Sequence, residues 1–156
     1  SITGSAFSGI EIAGAAAPEI IGNKIADAGQ AGIYLHGAGP TTLSGNEIAG
    51  SGFTGILVAS RAAVEIRNNS VTESGELGVL LLKGSRARLT ENSLLNNAGY
   101  GIGIEKGAQA ELTDNVLEGN KDPQIQRNGE AHMLPSADSP PDISGDDRAA
   151  PAAAAD

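Results

Sequence analysis

Apolar positions along this chain keep a fixed step of 23 residues. Asn23, Asn46, Asn69, Asn92 and Asn115 mark the step. Three residues before each stand Ile20, Leu43, Ile66, Leu89 and Leu112. Two after stand Ile25, Ile48, Val71, Leu94 and Leu117, with Ile2 one step earlier. Ten after stand Ile33, Ile56, Val79, Ile102 and Ile125, preceded by Ile10. The column twelve after runs Ile12, Leu35, Val58, Leu81 and Ile104, and fails only at Arg127. Of these 23 positions, 22 are Val, Ile or Leu, and no insertion breaks the step between Ile2 and Ile125. A glycine column (Gly9, Gly32, Gly55, Gly78, Gly101) sits directly before the Ile-x-Leu pair.

A repeat of this length, in which each unit is too small to bury its own apolar face, means stacked units. Within Gly-Ile-x-Leu the alternation has period two, which turns Ile33 and Leu35 to one side and Tyr34 to the other. That predicts a strand. A second strand ends three residues before each Asn and a third starts at it. β-branched side chains stack well on copies of themselves. Asn suits the tight turn between the second and third strands because it tolerates left-handed backbone angles. Stacked Asn amides can also hydrogen-bond from coil to coil, satisfying groups that a sharp buried turn would strand. Asn23, Asn46, Asn69, Asn92 and Asn115 are therefore read as a structural ladder. A leucine-rich repeat would want an apolar residue eight before each Asn. Those positions hold Ala15, Ala38, Arg61, Gly84 and Gly107, and the intervening Gly and Ser are poor helix formers.

The units "IIGNKIADAGQAGIYL", "LSGNEIAGSGFTGILV", "IRNNSVTESGELGVLL" and "LTENSLLNNAGYGIGI" resemble the right-handed β-helix repeats of the pectate-lyase-like superfamily, including its carbohydrate-binding and sugar-hydrolysis modules. The expected fold is all-β: a right-handed, single-stranded parallel β-helix of about five coils, three short strands each. It should span residues 1–126. Residues 127–156 are rich in Pro, Ala and Asp and read as a linker or disordered tail. Met133, Leu134 and Pro135 form the one apolar patch of that tail, a candidate to fold back over the last coil. The chain opens in mid-repeat, so further coils or a cap are expected upstream, and no leader of the secretory type is seen.

Composition narrows the function. Formal charge is −9, and acids outnumber bases 19 to 10, which argues against nucleic acid as a partner. No apolar run is long enough to span a membrane. With no cysteine there is neither a disulfide framework nor a thiolate metal site. No metal or other cofactor is expected.

The resemblance implies that any active site lies on the outer face of the Gly-Ile-x-Leu strands. The outward pairs there are Glu11 and Ala13, Tyr34 and His36, Leu57 and Ala59, Leu80 and Leu82, Gly103 and Glu105, and Gln126 and Asn128. Hydrolysis of a sugar bond needs two carboxylates about 5 to 9.5 Å apart. Glu11 and Glu105 are four coils apart, roughly 19 Å at ordinary strand spacing. The best base for elimination or epimerisation is His36, beside Tyr34, with Glu105 about 14 Å away. Tyr34 and His36 are thus the weak catalytic candidates. The calcium-binding acids of pectate lyases and the Asp-Pro-His-Asp signature of alginate epimerases have no counterpart. Coils of constant length also leave no long loops to wall a cleft.

Two surfaces read as binding candidates. Tyr34, Leu57, Leu80 and Leu82 form an outward apolar stripe of the kind that meets a partner or a second copy. Arg61, Lys83 and Lys106, with Arg86 and Arg88, form a basic rim after the strand that suits an anionic polysaccharide. The expected function is a non-catalytic module that binds glycan or protein within a larger extracellular or periplasmic protein. The alternatives are a fragment of a polysaccharide lyase or epimerase, and a structural stalk that self-associates.

Overall fold

The computed structural model describes residues 1–37, 39–121 and 123–129, with the backbone alone of 132–134. Every strand pairs in parallel with strands one repeat away, giving three six-stranded sheets. Sheet one holds Ile10–Ala13, Ile33–His36, Thr54–Ala59, Leu77–Leu81, Ile102–Ile104 and Ile125–Arg127. Sheet two holds Glu19–Ile21, Thr41–Ser44, Ala63–Arg67, Arg86–Thr90, Gln109–Thr113 and His132–Leu134. Sheet three holds Ile2–Thr3, Lys24–Ala26, Glu47–Ala49, Ser70–Thr72, Ser93–Leu95 and Val116–Glu118. The chain passes from sheet one to two to three and back, one circuit per 23 residues. This is the expected β-helix.

Register follows the columns of the sequence: Ile10 pairs with Ile33, Ile33 with Ile56, Val79 with Ile102 and Ile102 with Ile125. The inward side chains fill the solenoid, and Ile33, Leu35, Ile56, Val58, Ile66, Leu89, Leu94 and Ile104 are wholly buried. Each such side chain contributes on the order of 1.5–3 kcal/mol of burial. Sheet two adds an inner column that the spacing search did not isolate, Thr41, Val64, Ala87 and Ala110, all buried. Arg127 breaks the aliphatic column yet still pairs with Ile104. His132–Leu134 pairs with Gln109–Glu111, so sheet two gains a strand past residue 126. Met133 and Leu134 belong to that strand, while Pro135 and all that follows it lie outside the described residues.

The asparagine ladder forms, with one correction to its cause. The five Asn do not occupy left-handed backbone. That conformation falls one residue earlier, at Gly22, Gly45, Asn68, Glu91 and Asp114, with φ between 53° and 65°. The Asn side chains instead bridge coils. Asn69 Nδ2 donates back to Leu43 O at 3.0 Å and forward to Asn92 Oδ1 at 3.1 Å. Asn46 and Asn92 repeat the pattern with Ile20 O and Asn69, and with Ile66 O and Asn115. A second, partial ladder lies five residues on. Ser74 N and Asn97 N donate to Asn97 Oδ1 and Asn120 Oδ1 at 3.0 and 2.9 Å.

The glycine column before Ile-x-Leu is required by crowding. A Cβ on Gly9 would lie 2.5 Å from Ile25 Cγ2, and one on Gly78 would lie 2.6 Å from Gly101 O. Here the backbone of sheet one crosses the side chains of sheet three too closely for any other residue.

Candidate functional site

Because every inward position is aliphatic or small, the larger ring side chains are displaced outward. The chain has two Phe, two Tyr and no Trp, and none of the four is in the core. Phe7 and Phe53 lie in the bend leading from sheet three to sheet one and are 68% and 42% exposed. Tyr34 is half-buried on the outer face of sheet one, and Tyr100 is half-buried at the same bend further along. All four therefore lie along one flank of the solenoid. Phe7 and Phe53 were not picked out from sequence, since they fall between strands. Their equal place in the repeat, 46 residues or two steps apart, was the available signal.

This flank carries an open depression of ≈ 490 Å³ lined by Ser8, Gln30, Tyr34, Phe53 and Leu57, with Gly29 and Gly52 at its base. A Cβ on Gly52 would sit 2.5 Å from Gly29 O. Further along the same corner is a depression of ≈ 380 Å³ beside Leu77, Tyr100, Lys121 and Gln126, where the Lys121 ammonium lies 5.3 Å from the Tyr100 ring centre.

Tyr34 and His36 stack, with ring centres 4.6 Å apart and planes inclined by 29°. His36 also has an acid partner that the sequence reading overlooked. His36 Nε2 lies 2.6 Å from Glu11 Oε1. Glu11 stands directly opposite Tyr34, so its carboxylate reaches His36 diagonally, the i, j±2 relation that long side chains span across strands. Counting coils to Glu105 alone missed it. Among the described residues no three His, Cys, Asp or Glu side chains group as a metal site.

Leu57, Leu80 and Leu82 face outward but are half-buried. Gly103, one coil on, exposes no side chain, and Leu80 and Leu77 lean over it, as Cβ clearances of 3.1 and 2.5 Å to their Cδ atoms show. At the opposite edge of sheet one, Arg61, Lys83 and Lys106 are exposed at the corner with sheet two. Arg88 does not belong with them. It lies on the outer face of sheet two, with Nη1 3.4 Å from Glu65 and Nε 3.0 Å from Glu111.

Three parallel sheets in one continuous coil, an aliphatic core and an asparagine ladder define a β-solenoid. More narrowly, residues 8–133 match the family described as the right-handed beta helix region, and the chain belongs to that family. No curated protein and no solved structure matches it. Among the described residues no helix is long and apolar enough to cross a membrane.

Proposed function

We propose that this chain is a non-catalytic binding module that takes a glycan along sheet one and its corner with sheet three. The observation that carries the reading is the placement of all four aromatic side chains on that flank. A ring left at the surface forgoes the burial that makes aromatics valuable to a core, and contiguous exposed apolar surface marks a contact site. The flat face of a ring matches the C–H face of a pyranose, and Ser8 and Gln30 supply hydrogen-bonding groups beside Phe53 and Tyr34. A shallow open depression suits a segment of a polymer better than an enclosed small molecule. An extracellular or periplasmic setting accords with such a ligand.

The test is affinity electrophoresis and calorimetry against xylan, polygalacturonate, alginate and hyaluronan. At least one should bind, and Phe53→Ala and Tyr34→Ala should each weaken it by about fivefold or more, the loss of about 1 kcal/mol of ring contact. Binding to none of them, or binding indifferent to both substitutions, rejects the reading.

One observation favours a second reading, a lyase or epimerase. A histidine held by a carboxylate at 2.6 Å is oriented as a general base would be. Unsaturated uronate released from polygalacturonate or alginate, and lost in His36→Ala, would establish it. No turnover on either removes it.

A further inference from the structure

We propose that the corner between sheet one and sheet two holds an anion site in which Arg61 and Arg86 grip the carboxylate or sulfate group of an acidic sugar. The two arginines line one depression of ≈ 280 Å³ with Ala63, Ser85 and Gln109, floored by Gly84 and Gly107. Three observations carry the site beyond a chance cluster of charge.

The first is pairing. Acids outnumber bases 19 to 10 in this chain, and two surface cations find one: Lys24 lies 3.0 Å from Glu47, and Arg88 bridges Glu65 and Glu111. Among the described residues no carboxylate forms an ion pair with Arg61, Lys83 or Arg86. Glu105, the acid at this corner, turns one oxygen to the Lys83 backbone N–H at 3.2 Å.

The second is the shape of the turn. Gly84 and Gly107 have φ of 84° and 82°, a left-handed conformation that favours glycine. Arg61 lies beside this turn, its Cγ 3.8 Å and its Nε 3.9 Å from where a Cβ on Gly84 would stand.

The third is orientation. Arg86 Nε donates to Gln109 Oε1 at 2.9 Å, which fixes the plane of its guanidinium and leaves the two Nη groups for a ligand. A guanidinium held in plane is suited to two-point contact with a carboxylate or sulfate. Two such groups match a single oxyanion. They are too few for a polyphosphate, whose run of phosphates calls for a cluster of cations. Lys83, exposed on the adjoining turn, adds attraction at longer range.

This site is across sheet one from the aromatic flank, so the inference stands whether or not that flank binds sugar. The test titrates the isotopically labelled full chain with sodium sulfate, with sodium glucuronate and with glucose, at constant ionic strength, following amide resonances. Sulfate and glucuronate should give saturable shifts at Gly84, Ser85, Gly107 and Gln109, and glucose none. Arg61→Gln and Arg86→Gln should each weaken binding about tenfold or more. Arg61→Lys, which keeps the charge and loses the fork, should weaken it severalfold. Arg88→Gln removes the same charge two residues along the same strand, where Glu65 and Glu111 hold it away from the turn, and should leave affinity within twofold. Shifts that do not saturate, or equal weakening by Arg88→Gln, would reduce the effect to net charge and overturn the site. Binding of sulfate without glucuronate would overturn the carboxylate assignment. Melting curves identify any variant that fails to fold, and the Arg61→Lys comparison then carries the decision.

Discussion

Truncating one amide in the middle of the asparagine ladder should cost far more than truncating the amide at its start. The Asn69 side chain is buried and makes five hydrogen bonds. It accepts from Asn46 N and Nδ2 at 3.0 and 2.9 Å, and donates to Leu43 O, Arg67 O and Asn92 Oδ1 at 3.0, 3.1 and 3.1 Å. Asn69→Ala deletes all five. It leaves the Asn46 backbone N–H inside the wall of the solenoid with no replacement. A net bond is worth about 1 kcal/mol and a stranded buried group costs about 1–3 kcal/mol, so the loss should be about 3–5 kcal/mol. Asn23 differs. It is half-buried, accepts nothing, and its amide donates only to Ile21 O and Asn46 Oδ1, both at 3.2 Å. Asn23→Ala should cost about 0.5–1 kcal/mol. Urea unfolding followed by far-ultraviolet circular dichroism reads both. With a slope of about 2 kcal/mol per molar, the Asn69→Ala midpoint should fall by about 1.5–2.5 M. Equal, small shifts for the two variants would refute the view that the ladder is a structural element whose strength lies in buried, shared amides. Unfolding should also be checked for a single transition, since repeat arrays lose cooperativity when an internal coil weakens.

Four further variants probe the wall of the coil. Gly55→Ala places a Cβ against Val71 and 2.7 Å from Gly78 O, and should cost about 2–4 kcal/mol. Gly22→Ala meets open space at φ 65° and should cost about 1–2 kcal/mol of conformational strain; thermal melts that reverse this order would contradict the crowding argument. Glu91 occupies the left-handed position that Gly22 and Gly45 take in earlier coils, at φ 54°, so Glu91→Gly should be neutral to stabilising by up to about 1 kcal/mol in the same melts, and a clear loss would show that its side chain has a role of its own. The buried Ser74 hydroxyl lacks a partner and precedes Asn97 and Asn120 in the second ladder. Ser74→Asn should extend that ladder and raise stability by about 1 kcal/mol in urea titration, whereas a loss would show that the wall there is too tight for an amide.

Architecture was legible in the sequence because one constraint dominates it: a narrow solenoid admits only aliphatic side chains at fixed places, and the 23-residue step is the shadow of that geometry. What the step could not disclose lies off the columns. The second ladder was hidden because Asn97 and Asn120 share their column with Ser74, Ser51 and Ala28. The left-handed residues were displaced by one because both the ladder Asn and its predecessor are plausible turn residues, and hydrogen-bond geometry alone separates them. The His36–Glu11 contact escaped because it runs diagonally between coils, and Phe7 and Phe53 because they sit in bends without strand periodicity. Of the basic rim, Arg61 and Lys83 lie at the expected corner, whereas Arg88 is two residues into the sheet-two strand Arg86–Thr90, where Glu65 and Glu111 stand opposite it.

The most direct test of the binding account is to map, by amide resonances of the full chain, where an oligosaccharide of the best-binding polysaccharide contacts the solenoid. The account predicts saturable shifts at residues 29–34 and 52–57, beside Tyr34 and Phe53, joined by Gly84, Ser85, Gly107 and Gln109 only when the oligosaccharide is acidic. Saturable shifts centred on the outer face of sheet two or sheet three, with residues 29–34 and 52–57 unmoved, would contradict it.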